Sequence, residues 1–152
     1  MKKTKIVLLF LLFTLVLASC DVYVPMYGDV LPKGMEESVL KARAFWVMEQ
    51  LGDGDFSTLS SERIKKRDLE ELQGDYEEIL ERMGGHRKCN FVSFGTAQGL
   101  STDEACAFVY MHCNHEYGEI DWYVYFDADY RLLGLEMLPD EGSVRDPRLE
   151  KI

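Results

Sequence analysis

The chain carries four cysteines and three histidines. These residue types form disulfides, bind soft metal ions or serve as nucleophiles and bases. The run His112-Cys113-Asn114-His115-Glu116 invites a metal reading. On a strand, however, His112 and His115 point to opposite faces unless a bulge intervenes. Zinc needs three or four convergent ligands, so no metal ligand and no cofactor is assigned. Asp127-Ala128-Asp129 lacks the twelve-residue loop of a calcium site and reads as hairpin-turn chemistry. No glycine-rich phosphate loop occurs, and no serine sits in a nucleophile elbow. No catalytic residue is assigned either.

Such side chains act only where the backbone holds them together. After Gly85 the apolar pattern takes a period of two, the mark of strands. It predicts strands at about 88–96, 105–116, 119–127 and 131–138, with turns at Gly99–Asp103, Tyr117-Gly118 and Asp129-Tyr130. Counting back from the turns sets Cys89 opposite Cys113, Phe91 opposite Met111 and Ser93 opposite Val109. The next hairpin sets Trp122, Val124 and Phe126 opposite Cys113, Met111 and Val109. Leu133, Leu135 and Met137 then lie beside Phe126, Val124 and Trp122. One face is almost wholly apolar, as a sheet packed on helices requires.

Directly opposed strand residues stand about 4.5–5.5 Å apart at Cα, close enough for a Cys89–Cys113 disulfide. That bridge spans 24 residues and adds about 3 kcal/mol in the loop-entropy view. The other reading is two buried thiols beside Trp122. Cys106 falls on the opposite face, either free or joining two copies. That face also gathers Phe94, Phe108, Tyr110, Tyr123 and Tyr125. Cross-strand aromatic pairs stabilise a sheet, and a contiguous aromatic surface equally suits a protein interface.

Upstream the pattern is helical. Leu40, Ala44, Val47, Met48 and Leu51 recur at three- and four-residue steps, and Gly52–Asp55 ends the run. A second helix is expected over 61–72. Gly74 breaks it, and a third starts at an Asp75/Glu78 capping box. The expected fold is α+β: a long N-terminal helix plus two shorter helices on one face of a four-stranded antiparallel meander, over residues 35–139. Residues 20–34, with Pro25, Gly28 and Pro32, read as a tether. Residues 140–152 read as a charged tail.

The first 19 residues differ in kind. Lys2, Lys3 and Lys5 precede an apolar run from Ile6 to Leu17, about 12 residues against the roughly 20 that cross a bilayer. This is the pattern of a secretory signal. Leu17-Ala18-Ser19-Cys20 resembles the lipobox of bacterial lipoproteins. The resemblance implies cleavage before Cys20, a diacylglyceryl group on its sulfur, and a domain anchored in the bacterial cell envelope, facing the periplasm or the exterior. Of 17 basic residues, three leave with the signal, so 14 face 27 acidic residues and the mature charge is −13. Nucleic acid is a poor partner for that balance. A cationic partner fits it.

The order of elements is similar to nuclear-transport-factor-2-like, cystatin-like α+β domains. Leu51-Gly52-Asp53-Gly54-Asp55-Phe56 and the segment Tyr123–Pro139 carry the likeness. It implies helices over a curved sheet. Some members are isomerases or dehydratases with an acidic base and an oxyanion donor, while many only bind or dimerise through the outer sheet face. No such catalytic pair maps onto the helix-facing side here, where Ser93 is the main polar residue. The expected function is a non-catalytic, lipid-anchored binding or assembly module, with a protein or a second copy as partner. An acidic inhibitor or immunity-type lipoprotein against a basic protein is the alternative, as is a small-molecule pocket between the first helix and the sheet.

Overall fold

The computed structural model describes residues 22–140. The signal segment, Cys20 and residues 141–152 lie outside the described residues. The chain runs β1 (Tyr23–Gly28), α1 (Glu37–Gly52), a 3-10 helix (Phe56–Ser61), α2 (Lys66–Met83), β2 (His86–Gly99), β3 (Ala105–His115), β4 (Glu119–Phe126) and β5 (Leu132–Pro139). The strands form one antiparallel sheet in the order β1-β2-β3-β4-β5. The class is α+β. The expected four strands and three helices are corrected to five strands and two main helices.

Both corrections have a local cause. Leu69, Leu72, Tyr76, Ile79 and Met83 keep one continuous apolar stripe across Gly74, and α2 passes through that glycine unbroken. A mid-helix glycine costs about 1 kcal/mol relative to alanine, less than burying this stripe returns. The segment expected to be a tether contains β1. Its Pro25 sits on an edge strand, where a missing N–H breaks no ladder, and β1 pairs with Gly95–Gly99 of β2.

The first and third hairpins keep the expected pairs Cys89–Cys113, Phe91–Met111, Val124–Leu135 and Trp122–Met137. An irregularity after Tyr125 puts Leu132 in place of Leu133 beside Phe126, and the second hairpin shifts. Met111 lies opposite Trp122 and Val109 opposite Val124, two residues from the expected pairing. A shift of two leaves every side chain on its own face. A bulge at Val92 changes the face instead. Beyond it Ser93 pairs with Tyr110 and Phe94 with Val109, so Phe94 packs against the helix-side core. That core holds Leu40, Val47 and Leu51 from α1, Tyr76 and Met83 from α2, and Val109, Met111, Trp122 and Phe126 from the sheet. Tyr76 meets Trp122 edge-on at 5.6 Å, an arrangement aromatic quadrupoles favour.

The sheet also curls. Tyr23 of β1 stacks on Tyr125 of β4 at 5.2 Å between centroids. Three strand spacings on a flat sheet would separate them by about 14 Å. Gly134 of β5 permits the approach, because a Cβ there would lie 3.2 Å from the Tyr23 ring. The face away from the helices thereby becomes concave at this end. It encloses a second core of Ala97, Cys106, Phe108 and Tyr125, with Tyr23, Tyr123 and Leu133 packed on it.

Polar clamps tie helix to sheet. Asp127 is 1% exposed. Its carboxylate accepts from the backbone N–H of Asp129 (2.9 Å) and Arg131 (2.8 Å), and pairs with Arg63 and Arg131 at 3.0 Å each. Burial alone would raise its pKa, but these donors and cations hold it below the usual carboxylate value. Glu62 takes Arg43 Nη2 at 2.7 Å and the Leu132 N–H at 2.9 Å.

Candidate functional site

Three places hold chemistry-bearing residues. The first is a groove between the two edge strands, β1 and β5, closed on one side by α2. It has a volume of 580 Å³. Asp68, Glu71 and Asp75 recur at helical spacing along α2, and Glu136 joins them from β5. Val24, Pro25, Leu72, Leu133 and Leu135 supply apolar walls, and Tyr125 forms part of the lining. No lysine or arginine lines it among the described residues. Tyr125 donates to Glu136 at 3.2 Å, and burial pushes its phenol well above the ordinary tyrosine pKa.

The second is the open part of the outer face. Tyr110 and Tyr123 stack at 5.0 Å. Tyr110 Oη donates to Asp121 Oδ2 at 2.5 Å, and His112 Nδ1 faces Asp121 Oδ1 at 2.7 Å. The hydrogen bond to Asp121 holds the Tyr110 phenol up at about 12. Both aromatic rings and the His–Asp pair are half-buried.

The third lies on the helix-facing side where β2 begins. Cys89 and Cys113 are opposed and disulfide-bonded. A bulge at Arg87 re-aims the start of β2, so that His86 pairs with His115. His86 Nε2 stands 3.1 Å from Cys89 Sγ. The sulfur of Met48 lies 3.7 Å from that of Cys113. His115 is 5% exposed. Its Nδ1 faces the carbonyl of Gly84 at 3.3 Å, and among the described residues its Nε2 is a buried side-chain nitrogen without a partner. Burial lowers the pKa of both imidazoles; Asp53 raises that of His86, and the Gly84 carbonyl raises that of His115.

The five aromatic residues expected on one face do not share an open surface. Phe94 turns to the helix-side core. Phe108 and Tyr125 are 6% and 2% exposed, covered by the curl of β1. On the outer face only Tyr110 and Tyr123 of the five remain half-exposed. Cys106 is free and wholly buried, and burial raises its thiol pKa to about 11. Between α1 and the sheet lie the apolar side chains of Leu40, Val47, Leu51, Met111 and Trp122, each no more than 2% exposed.

Sequence reasoning missed the groove because it read β1 as linker. The approach of His86 to the cysteines went unread because a bulge decides it. The three acids of α2, three and four residues apart, were the one legible signal for the groove. No protein family, curated protein or solved structure matches the chain.

Proposed function

We propose that the chain is an exported, lipid-anchored, non-catalytic binding module whose acid-rimmed groove receives a cationic, extended segment of a partner protein. The groove itself carries the reading: four carboxylates over apolar walls, with no basic residue in the described lining. Lysine and arginine suit such a site, since their alkyl stems cover apolar surface while their charged ends reach acids at the rim. Both walls are edge strands. An extended segment can therefore add backbone hydrogen bonds along β5, a common mode of peptide capture. The mature charge of −13 steers a basic partner towards it. The lipobox likeness at Cys20 supports the anchor, because two acyl chains hold a soluble domain stably on a membrane.

Exposed Glu71 and Asp75 allow a clean test. Titration of a lysine- and arginine-rich peptide, followed by calorimetry, is expected to give binding that weakens steeply with salt. The Glu71→Lys, Asp75→Lys double variant is expected to lose it while melting normally. Unchanged peptide affinity in that variant would end the proposal.

A further inference from the structure

Independently of the groove, we propose that Cys89, Cys113 and His86 form a zinc site when the disulfide is reduced, so that the cluster switches between a covalent bridge and a metal clasp. His86, Cys89 and Cys113 each offer one ligand atom, and these atoms lie within 4.8 Å of one another. Tetrahedral zinc, with Zn–S about 2.3 Å and Zn–N about 2.0 Å, needs ligand atoms roughly 3.5–3.8 Å apart. Breaking the bridge frees the two sulfurs to part by side-chain rotation towards that spacing. The bulge at Arg87 brings His86 to the cysteines. Bulges commonly re-aim side chains at functional places.

The surroundings favour this occupant. Cys113 is 1% exposed, and Met48 offers a soft sulfur 3.7 Å from it. Two thiolates cancel the double charge of Zn²⁺, so the loaded site adds no net charge to a buried place. A monovalent soft cation would leave one negative charge there. His115 stands opposite His86, their rings 5.6 Å apart. Its Nδ1 is turned to the Gly84 carbonyl while Nε2 is buried without a partner among the described residues. A carbonyl on one imidazole nitrogen fixes the ring's tautomer, but His115 is not among the residues whose ligand atoms converge, so the fourth position is left to water.

The chemistry balances with a dithiol donor. Two electrons and two protons pass to the Cys89 and Cys113 sulfurs as their bond breaks, and the donor closes to its own disulfide. Zn²⁺ then forms two Zn–S bonds, and the two thiol protons leave to solvent.

The test uses the whole chain, reduced with a phosphine and then freed of it. Zn²⁺ is titrated in competition with a chromophoric chelator, and Co²⁺ serves as the spectroscopic probe. The reduced chain is expected to take one Zn²⁺ and to show a sulfur-to-cobalt charge-transfer band, while the oxidised chain does neither. His86→Ala is expected to weaken zinc binding more than about tenfold, since even outer partners of metal ligands cost 10–100-fold. The oxidised form of that variant keeps its disulfide, so its near-ultraviolet circular dichroism shows whether it folds. No zinc uptake by the reduced chain, equal uptake by the oxidised chain, or unchanged affinity in His86→Ala would each overturn the site. If reduction loosens the fold, zinc must restore the native dichroism, and failure to do so counts equally against it.

Discussion

At the residue scale, the buried carboxylate of Asp127 is the clearest single point of dependence. It is the shared acceptor of Arg63, Arg131 and two backbone N–H groups. Removing one side of a buried, hydrogen-bonded ion pair costs about 3–5 kcal/mol. Asp127→Ala is therefore expected to lose about 3 kcal/mol in urea denaturation, with Arg63 partly solvated and recovering some of the difference. On the acid side His86 and His115, whose pKa values burial lowers, cost stability first, as pH falls below the unfolded histidine value of about 6.5. A further loss at lower pH comes from Asp127. Its folded pKa is lowered, so its stabilisation is complete above the unfolded value of about 3.9 and fades as pH falls through the lower folded value. Tyr76, Tyr125 and Cys106 set the alkaline limit. Burial raises both phenols, that of Tyr76 to about 12. The unfolded tyrosines ionise near pH 10 and the unfolded Cys106 thiol near 9, while the folded chain keeps these protons, so stability declines as pH rises beyond about 9. Midpoints of urea unfolding across pH should show a plateau bounded on both sides, and a curve still rising above pH 10 would contradict this burial. Asp127 was legible in sequence as a turn residue, because Asp–x–Asp before a tyrosine and an arginine is local chemistry. Its pairing with Arg63 was not, because that partner is 64 positions away.

The element scale shows which sequence signals were misleading. Gly74 with Asp75 and Glu78 imitates a helix stop followed by a capping box, yet α2 runs through them from Lys66 to Met83. The stripe Leu69, Leu72, Tyr76, Ile79 and Met83 keeps its three- and four-residue steps across the glycine, and that periodicity was the signal to weigh above the local breaker. A measurable consequence follows from the open space around Gly74: a Cβ there meets nothing within 4 Å. Its φ is not among the positive values. Gly74→Ala is therefore expected to stabilise the fold by about 0.5–1 kcal/mol, read as a raised urea midpoint with an unchanged slope. A loss of stability would mean that α2 does break there. The sheet was more legible. Strict alternation in β3 and β4 identified the inward set, and an error of two residues in turn length left that set intact, whereas in β5 Leu132 and not Leu133 faces the helix-side core. Bulges at Arg87 and Val92 change a face by one residue, and alternation in a short strand does not reveal where the extra residue sits. β1 was hidden by its own composition, because Pro and Gly mark an edge strand and a linker alike.

At the scale of the whole molecule, charge, groove and proposed anchor bear on one another. Cys20 precedes β1 by so few residues that an extended connection reaches only about 10 Å, close to the Debye length at physiological salt. A lipid on Cys20 would therefore hold β1, and with it one wall of the groove, near the headgroups. The curl that stacks Tyr23 on Tyr125 makes β1 part of the groove wall and not a free leash. The proposed anchor and the proposed binding are nevertheless separable in chemistry, because one would use the Cys20 sulfur and the other Asp68, Glu71, Asp75 and Glu136. Cys20→Ser removes the thioether site and no groove residue. In a bacterial host, that variant is expected to leave the membrane fraction. Once purified, it is expected to bind the cationic peptide within about twofold of the parent, since no contact in the groove changes and a twofold difference is only about 0.4 kcal/mol. Retention of the serine variant in membranes would show that something other than a lipid on Cys20 holds the chain there. Release accompanied by loss of peptide binding would show that the groove depends on the membrane surface and is not the property of the folded domain alone.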